Sequence, residues 1–342
     1  MSVKESLYRC TQSRCNGLLP SPGVSAAARN EPGRGWGRGL LRHQRASTDT
    51  QFLSTNRSRF RLGFTTAFAT SSLSPVPSGP GWTAYDGPRL TAAVVIPALD
   101  EAASIEDSVV ELHAHIDQLA TDGHPVDIRQ IIVVDNGSTD DTAARAETGG
   151  AVVVSEPQRG YGRACATGVL AAGDVDLIIQ MDGDGSDNPA DLAALLAPIV
   201  AGTADFVTGS RTRGTAERGS LLPQQVVGNW VATRALRLRY GVRATDLGPF
   251  RVIRRKELLA LGMSEMTYGW STEMMARAAR AELRMAEVPV SYRVRAGGES
   301  KVSGNFRASL KASERILGTV LRAARDRPDR ETNPFPVRDA DR

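Results

Sequence analysis

The sequence predicts an α/β fold with a mostly parallel central sheet flanked by helices. Two observations support this prediction: short apolar runs alternate with stretches of helical periodicity, and polar side chains recur directly after the runs. Such alternation is typical of parallel strands joined by helical crossovers. Because ligands of these folds bind beyond the carboxyl ends of the strands, the polar residues there are the candidates for a functional site.

Five apolar runs are interpreted as strands. Each is short and rich in Val, Ile and Ala or Leu, as expected for strands buried on both faces. The predicted strands cover Ala92–Pro97, Ile131–Val134, Val152–Val154, Leu177–Ile179 and Phe206–Thr208.

Helical patterns lie between these strands. Ser104 is placed as an N-cap with Asp107 three residues later, and the apolar residues that follow recur at helical spacing. Asn188 and Pro189 predict a second helix start, with Asn as the cap and Pro in the first turn. No internal repeat is visible.

The sharpest motif is Asp182-Gly183-Asp184, directly after the fourth run. Side chains two residues apart point the same way in an extended segment, so both carboxylates can face one hard cation such as Mg²⁺ or Mn²⁺. Gly183 leaves room for a diphosphate that would complete the cation's coordination shell. A solvated acidic turn is the competing interpretation, and the position at a central strand end favours the metal site.

Two more acids follow strand ends. Asp135 ends the second run and can accept hydrogen bonds from a base edge or a ribose, while Glu101 can hold a ribose hydroxyl. The alternatives are structural: a turn in which Ser138 opens the next helix, and an ordinary first-turn helix acid at Glu101.

A short glycine-rich turn, Gly160-Tyr161-Gly162-Arg163, enters another helix. A dinucleotide-binding loop is the obvious competing interpretation. It is disfavoured because the turn follows the third strand rather than the first and its glycine pattern is incomplete.

Charge is distributed unevenly along the 342 residues. The chain carries a formal +4, but residues 1–88 alone carry +7, which leaves −3 for residues 89–342. A nucleic-acid-binding domain would normally be basic in its folded part, so nucleic acid is not expected as a partner.

The cysteines number three and form no disulfide framework. We therefore expect a reducing compartment and a cytoplasmic protein. No apolar run reaches the length of a membrane span, and residues 1–88 are rich in Gly, Pro, Ser and Arg. We expect that segment to be a disordered or targeting-like extension, residues 89–327 to form the folded domain, and residues 328–342 to be a polar tail.

The motifs together resemble the family 2 glycosyltransferases of the GT-A fold. Within that family the sequence looks most similar to polyprenyl-phosphate (dolichyl-phosphate) mannosyl- or glucosyltransferases. The resemblance spans roughly residues 91–305. The segments that carry it are Val95–Glu101, Val133–Asp140, Arg159–Gly162, Met181–Asp184, Gly209–Arg211, Thr245–Arg251, Tyr268–Met274 and Glu287–Val290.

The resemblance implies a nucleotide-binding half and, beyond residue 215, an acceptor-side half. It implies a donor site for a nucleotide sugar such as UDP-glucose or GDP-mannose, metal ligation by Asp182 and Asp184, and direct displacement with inversion. The implied donor-site residues, taken with the turn residues above, are Pro97, Ala98, Glu101, Asp135, Ser138, Gly160, Gly162, Asp182 and Gly183. The implied catalytic and acceptor residues are Asp184, Arg211, Asp246, Arg251 and Glu273.

The acceptor can be a phosphate or a hydroxyl. A phosphate monoester has a second pKa of about 6 and is already an oxyanion near neutral pH, so it needs cationic positioning more than a base. A hydroxyl of a glycan or of a small molecule such as phosphoglycerate needs a general base, for which Asp246 and Glu273 are the candidates.

A lipid acceptor requires a membrane surface. Residues 306–325 place apolar side chains on one helical face beside basic residues, which suits a peripheral helix on anionic lipid. A helix packed on the core is an equally good interpretation of this pattern.

Two other classes are weighed against the transferase. A nucleotidyltransferase would want a glycine-rich, lysine-bearing loop after the first strand, which Pro97–Glu101 is not. A noncatalytic sugar-nucleotide-binding module would not need the intact acids at Asp182, Asp184, Asp246 and Glu273.

Overall fold

The computed structural model describes residues 85–297, 318–320, 322 and 335. Its centre is a seven-stranded sheet with the order β3-β2-β1-β4-β6-β5-β7. The strands are β1 (Leu90–Ala98), β2 (Val126–Asp135), β3 (Val152–Ser155), β4 (Leu177–Gln180), β5 (Phe206–Ala216), β6 (Arg251–Arg254) and β7 (Met285–Tyr292).

Helices pack on both faces of this sheet. They are α1 (Ile105–Thr121), α2 (Thr142–Thr148), α3 (Tyr161–Ala171), α4 (Leu192–Val200), α5 (Pro223–Tyr240), α6 (Arg255–Ala260) and α7 (Trp270–Arg280), with a 3-10 turn over Pro189–Asp191. The predicted α/β class with a mostly parallel sheet is confirmed.

Strand direction brings the carboxyl ends to one edge of the sheet. β1 pairs in parallel with β2 and β4, β2 with β3, and β5 with β7. Only β6 is reversed, since it pairs antiparallel with both β4 and β5. The ends of β1, β2, β4, β5 and β7 and the start of β6 therefore lie along the same edge.

Two apolar layers enclose the sheet because each central strand is buried on both faces. One layer includes Val95, Ile178 and Trp270, and the other includes Ile96, Ile179 and Leu195. All five predicted strands are present, and each extends beyond its predicted limits, β5 the furthest, to Ala216.

The helix starts agree only in part with the sequence predictions. Asn188 caps the 3-10 turn, since its Oδ1 accepts a hydrogen bond from the Ala190 amide at 3.2 Å. Ser104 stands at the N-cap position of α1 but makes no side-chain capping bond. Its hydroxyl instead donates to the carbonyls of Glu101 and Gly183, and so ties the β1 turn to the acidic motif.

Most of the C-terminal pattern at residues 306–325 lies outside the described residues. Where it is described, Val320 is buried in the same apolar layer as Trp270 and Phe335, and its carbonyl accepts a bond from the Tyr240 hydroxyl at 2.5 Å. At this position the core-packed alternative is the one observed. Within the described part of the chain, no helix has the length and apolar character needed to cross a membrane.

Candidate active site

The turn after β1 is fixed against the turn after β2. The Asp100 amide donates to the Ser138 hydroxyl at 3.0 Å, and the Thr139 amide donates to Asp100 Oδ1 at 2.7 Å. Asp100 adopts a left-handed φ of 51°, a conformation that Asp tolerates better than most residues. The predicted donor residues Pro97, Ala98 and Ser138 are thereby held next to one another at the carboxyl edge.

Asp135 and Asn136 organise the following turns. Asp135 Oδ1 accepts from the Ser138 amide at 3.1 Å and closes a local turn. Ser138 does not open the next helix as predicted, because α2 begins at Thr142 with Asp141 at its N-cap position. The Asn136 side chain donates to the carbonyls of Glu156 and Gln158, and its oxygen accepts from the Gly160 amide at 2.7 Å. These bonds join the ends of β2 and β3 to the start of α3.

Close backbone packing accounts for both glycines of the Gly160–Gly162 turn. A Cβ at Gly160 would lie 2.4 Å from the Met266 carbonyl oxygen, and one at Gly162 would lie 2.3 Å from that of Glu265. The turn is therefore pressed against the segment that precedes α7. A role in donor binding stays a prediction for both residues.

Three acids crowd the segment after β4. Asp184 and Asp187 are buried and Asp182 is half-buried. Desolvation, followed by the charge of Asp184, raises the pKa of Asp182 to about 7, and desolvation with the charge of Asp182 raises the pKa of Asp187 well above its usual range. Asp187 Oδ1 has no hydrogen-bond partner among the described residues. The cluster is thus short of positive charge.

Arg295, which lies just after β7, spans two of the predicted site acids. Its guanidinium lies 2.7 Å from Asp184 Oδ2 and 2.8 and 3.0 Å from the two oxygens of Glu101. Arg295 therefore bridges Asp184, a predicted metal ligand, and Glu101, the predicted ribose contact, although it lies far from both in the sequence.

A second charged pair lies where the regular pairing of β5 with β7 is interrupted after Ser210. Arg211 binds Asp246 in bidentate geometry, with both nitrogen–oxygen distances at 2.8 Å, and the Arg211 amide donates to the same carboxylate. The Asp246 side chain is fully buried, whereas that of Arg211 keeps 15% of its surface exposed. The guanidinium also lies 4.9 Å from the ring centroid of Tyr292. Arg211 and Asp246 form one rigid unit at the carboxyl edge.

Arg251 occupies a different environment from the one predicted. It is fully buried at the start of β6 and donates to the main-chain carbonyls of Leu247, Gly248, Pro249 and Ser271. Burial lowers its pKa. In this arrangement Arg251 shapes the loop that carries Asp246, and contact with an acceptor remains a prediction.

Glu273 is also committed to a local network. Its carboxylate accepts from the Ser264 amide and hydroxyl and from the Glu265 amide, and pairs with Arg277 at 2.8 Å. It is 3% exposed. Glu273 thus holds the segment before α7 in the position against which Gly160 and Gly162 pack.

The donor set after β4 suits a hard divalent cation that shares its ligands with a substrate. Asp182 and Asp184 offer carboxylate oxygens, and the buried Asp187 Oδ1 beside them has no hydrogen-bond partner among the described residues. Among the described residues, no group of three His, Cys, Asp or Glu side chains could hold a metal ion alone. Phosphate oxygens of a substrate would complete such a site, as is usual for Mg²⁺-type cations.

Sequence reasoning missed three residues of this edge. Asp187 had a local signal, as the third acid of Asp182–Asp187, and Tyr161 stands inside the glycine turn, with its hydroxyl 3.1 Å from Asp182. Arg295 had none, because only the fold brings the residues after β7 to the acids after β1 and β4.

The fold and this acid-lined strand edge define a glycosyltransferase of the GT-A type. The profile of "Glycosyl transferase family 2" matches residues 93–261. The chain is 41% identical over 219 residues to an uncharacterized glycosyltransferase of Mycobacterium tuberculosis (strain ATCC 25618 / H37Rv), covering 64% of this chain and 93% of that protein. The chain therefore belongs to glycosyltransferase family 2.

Two further similarities involve proteins whose names specify an acceptor. The undecaprenyl-phosphate mannosyltransferase of Micrococcus luteus is 32% identical over 189 residues, covering 52% of this chain and 76% of the relative. The structure of glucosyl-3-phosphoglycerate synthase from Mycobacterium tuberculosis with Mn²⁺, UDP-glucose and phosphoglyceric acid superposes with a TM-score of 0.54 at 26% identity, covering 69% of this chain and 80% of that one.

Proposed function

We propose that this enzyme transfers glucose or mannose, with inversion, from a nucleotide diphosphate sugar to a polyprenyl phosphate. One observation distinguishes this acceptor from a hydroxyl. Both carboxylates predicted as general bases are committed elsewhere, Asp246 to Arg211 and Glu273 to Arg277, Ser264 and Glu265. A phosphate acceptor needs neither of them, because it is already ionised near neutral pH.

The donor would lie along the ends of β1, β2 and β4. Asp135 and the turn around Ser138 would receive the nucleoside, and Glu101 the ribose. Asp182 and Asp184 would hold Mg²⁺ or Mn²⁺, which would neutralise the charge that develops on the departing nucleoside diphosphate.

Arg295 must change partners when the donor binds. Its guanidinium now neutralises Glu101 and Asp184, the two acids that the donor and its cation would engage. The incoming cation would replace this positive charge on Asp184, and the released guanidinium would stay within reach of the diphosphate. Arg295 would thus keep the acids compensated in both states.

The acceptor phosphate would be positioned by the arginines in the second half of β5 and just after it. Arg211 is held by Asp246 and Tyr292, so its guanidinium is preorganised, and Arg213 and Arg218 follow on exposed positions. Preorganised cations are effective in binding a phosphate because little ordering is needed on binding.

A small soluble acceptor is the second candidate. The structural likeness to glucosyl-3-phosphoglycerate synthase, whose structure contains phosphoglyceric acid, supports it. Cys165 is a free, buried cysteine, and a reducing, cytoplasmic setting would suit either acceptor. Peripheral membrane contact would suit the polyprenyl phosphate.

A matrix of donors and acceptors tests the proposal. The full chain would be incubated with UDP-glucose or GDP-mannose, with polyprenyl phosphate in detergent or 3-phosphoglycerate, and with Mg²⁺, Mn²⁺ or EDTA. We expect metal-dependent product from one donor with polyprenyl phosphate. Product with 3-phosphoglycerate alone would transfer the assignment to the soluble acceptor.

A further inference from the structure

Helix α5 carries apolar side chains that point away from the core. Val226, Val227, Trp230 and Leu238 are 46%, 60%, 63% and 82% exposed. The helix meets the core through other residues, among them Ala232, Thr233 and Leu236. A large exposed apolar patch on a folded domain usually marks an interaction site.

These side chains share one face with two arginines. The face is built on a spacing of four residues: Val226, Trp230, Arg234 and Leu238. Around the helix, Val227 and Arg237 project between these side chains. At 3.6 residues per turn, all six fall within roughly a third of the helix circumference. We call these six residues the α5 outer face. Arg234 and Arg237 are exposed there together with the apolar residues.

Charge identifies what this face would contact. Residues 218–243 contain five arginines and no Asp or Glu, although residues 89–342 carry a net −3. A helix face that combines Trp and aliphatic side chains with unopposed basic residues suits the interface of an anionic bilayer.

The same helix is joined to the candidate active site. The Asn229 side chain donates to the Thr245 carbonyl at 3.1 Å and accepts from the Leu247 amide at 2.9 Å. Asp246, which holds Arg211, lies between these two residues. The helix that carries the α5 outer face therefore also holds the loop that orders the site arginine.

We propose that the α5 outer face docks the enzyme on an anionic lipid surface. Trp230, Val226, Val227 and Leu238 would enter the headgroup boundary while Arg234 and Arg237 contact lipid phosphates. The inference goes beyond the proposed transfer reaction and does not depend on it, since docking requires neither donor nor polyprenyl phosphate.

Vesicle co-sedimentation tests this docking without substrates. The full chain would be mixed with vesicles of phosphatidylcholine alone or with one third phosphatidylglycerol. We expect at least a tenfold higher partition onto the anionic vesicles, falling as salt increases. Trp230→Ser and the double variant Arg234→Gln/Arg237→Gln should each lower this partition about fivefold or more.

Matched variants separate docking from general effects. Val110→Ser removes a similarly exposed valine from α1 and should leave partition unchanged, and circular dichroism confirms that each variant is folded. With brominated lipid, Trp230→Phe should keep the binding but lose most of the binding-dependent fluorescence quenching. Equal partition of wild type and Trp230→Ser, or no preference for anionic vesicles, would overturn the proposal.

A second copy of the chain is the other occupant that the experiment can reveal. Light scattering would then show a dimer that Trp230→Ser converts to a monomer, with no vesicle binding by either protein. That result would contradict lipid docking and assign the α5 outer face to self-association. Vesicle binding without transfer to polyprenyl phosphate would support lipid docking and would contradict only the proposed acceptor.

Discussion

At the scale of single residues, the candidate site is organised by arginine–carboxylate pairs. Arg211 with Asp246 and Arg277 with Glu273 are nearly buried, whereas Arg295 connects Glu101 to Asp184 at the mouth of the site. Breaking a buried pair leaves an uncompensated charge, so these residues affect folding as well as chemistry. Variants must therefore be tested for stability and for activity together.

Asp246→Asn should destabilise the protein by about 3 kcal/mol, because Arg211 would keep its charge and lose a bidentate partner. Denaturant unfolding measures this change. Asp127→Asn is the matched control, since Asp127 and its partner Arg129 are both about half exposed, and it should cost less than about 1 kcal/mol. An equal cost for the two variants would refute the rigid-unit interpretation of Arg211 and Asp246.

Asp184→Asn should lower the rate of metal-dependent transfer by roughly 100-fold or more, while the fold is retained. The amide oxygen can still accept from the Ser186 amide, but it brings no charge to a cation. Transfer assays with a Mn²⁺ titration, beside circular dichroism, provide the measurement. Turnover equal to that of the wild type would remove the metal assignment.

At the scale of elements, the sequence predicts the buried apolar strands and misses the short strand β6 and the edge strand β7. β1, β4 and the second half of β2 are mostly apolar runs, so their pattern is unambiguous. β6 has only four residues with Arg at both ends, and β7 contains Pro289 in an edge strand, where a missing amide is tolerated. Neither shows the pattern of a buried parallel strand.

The site residues likewise divide into those that the sequence predicts and those that it misses. Acids at strand ends were predictable, because a parallel sheet fixes where they meet. The pairing of Arg295 with Asp184, and the burial of Arg251 among carbonyls, depend on tertiary packing that no local pattern encodes. The glycine turn was recognised, but its closeness to Met266 and Glu265 could only come from the fold.

Gly162→Ala should destabilise the fold by about 2 kcal/mol or more, because the new Cβ would overlap the Glu265 carbonyl. Gly202→Ala is the control: it adds strain at a φ of +65° but meets no atom within 4 Å. Thermal unfolding should rank Gly162→Ala as the more damaging change. The opposite order would show that the α3–α7 contact is loose.

His124, in the connection from α1 to β2, should make the free energy of unfolding sensitive to acid. Burial, with the charge of Arg89, lowers the pKa of His124 from 6.5 to about 4. As the pH falls, the unfolded chain therefore binds a proton at His124 at a higher pH than the folded chain does. The free energy of unfolding falls as pH drops from 6.5 towards 4, by about 2 kcal/mol at pH 5.

Unfolding free energies at pH 7 and pH 5 for wild type and His124→Asn test this step. Asn keeps an acceptor for the Val126 amide, which now donates to His124 Nδ1 at 3.2 Å, and cannot titrate. The variant should lose about 2 kcal/mol less than the wild type over this pH range. Identical losses would rule out His124 as the source.

At the scale of the whole molecule, the seven-stranded sheet is a frame that brings distant segments to one edge. Residues that follow β1, β2, β4 and β7, together with Arg211 in β5, lie along this edge. The reversed β6 brings the loop with Asp246 to the same edge. In the proposed function, the donor would use the parallel strands and the acceptor would use the part around β5 and β6.

Deleting residues 1–88 should leave transfer activity within about twofold, since the central strand β1 begins at Leu90 and would remain intact. Deleting residues 1–95 is the control and should abolish folding, because it removes most of a buried central strand. Assays of soluble yield and turnover compare them. Loss of folded protein after the shorter deletion would show that the predicted domain boundary is wrong.

The central claim is that the acceptor is an ionised phosphate that needs no general base. The most direct test offers the full chain one donor with polyprenyl phosphate or with the corresponding polyprenol, at equal concentration and pH. We predict product from the phosphate and at least 100-fold less from the alcohol, since Asp246 and Glu273 are committed to Arg211 and Arg277. Comparable transfer to the polyprenol would contradict the account, because a base must then be available at the site.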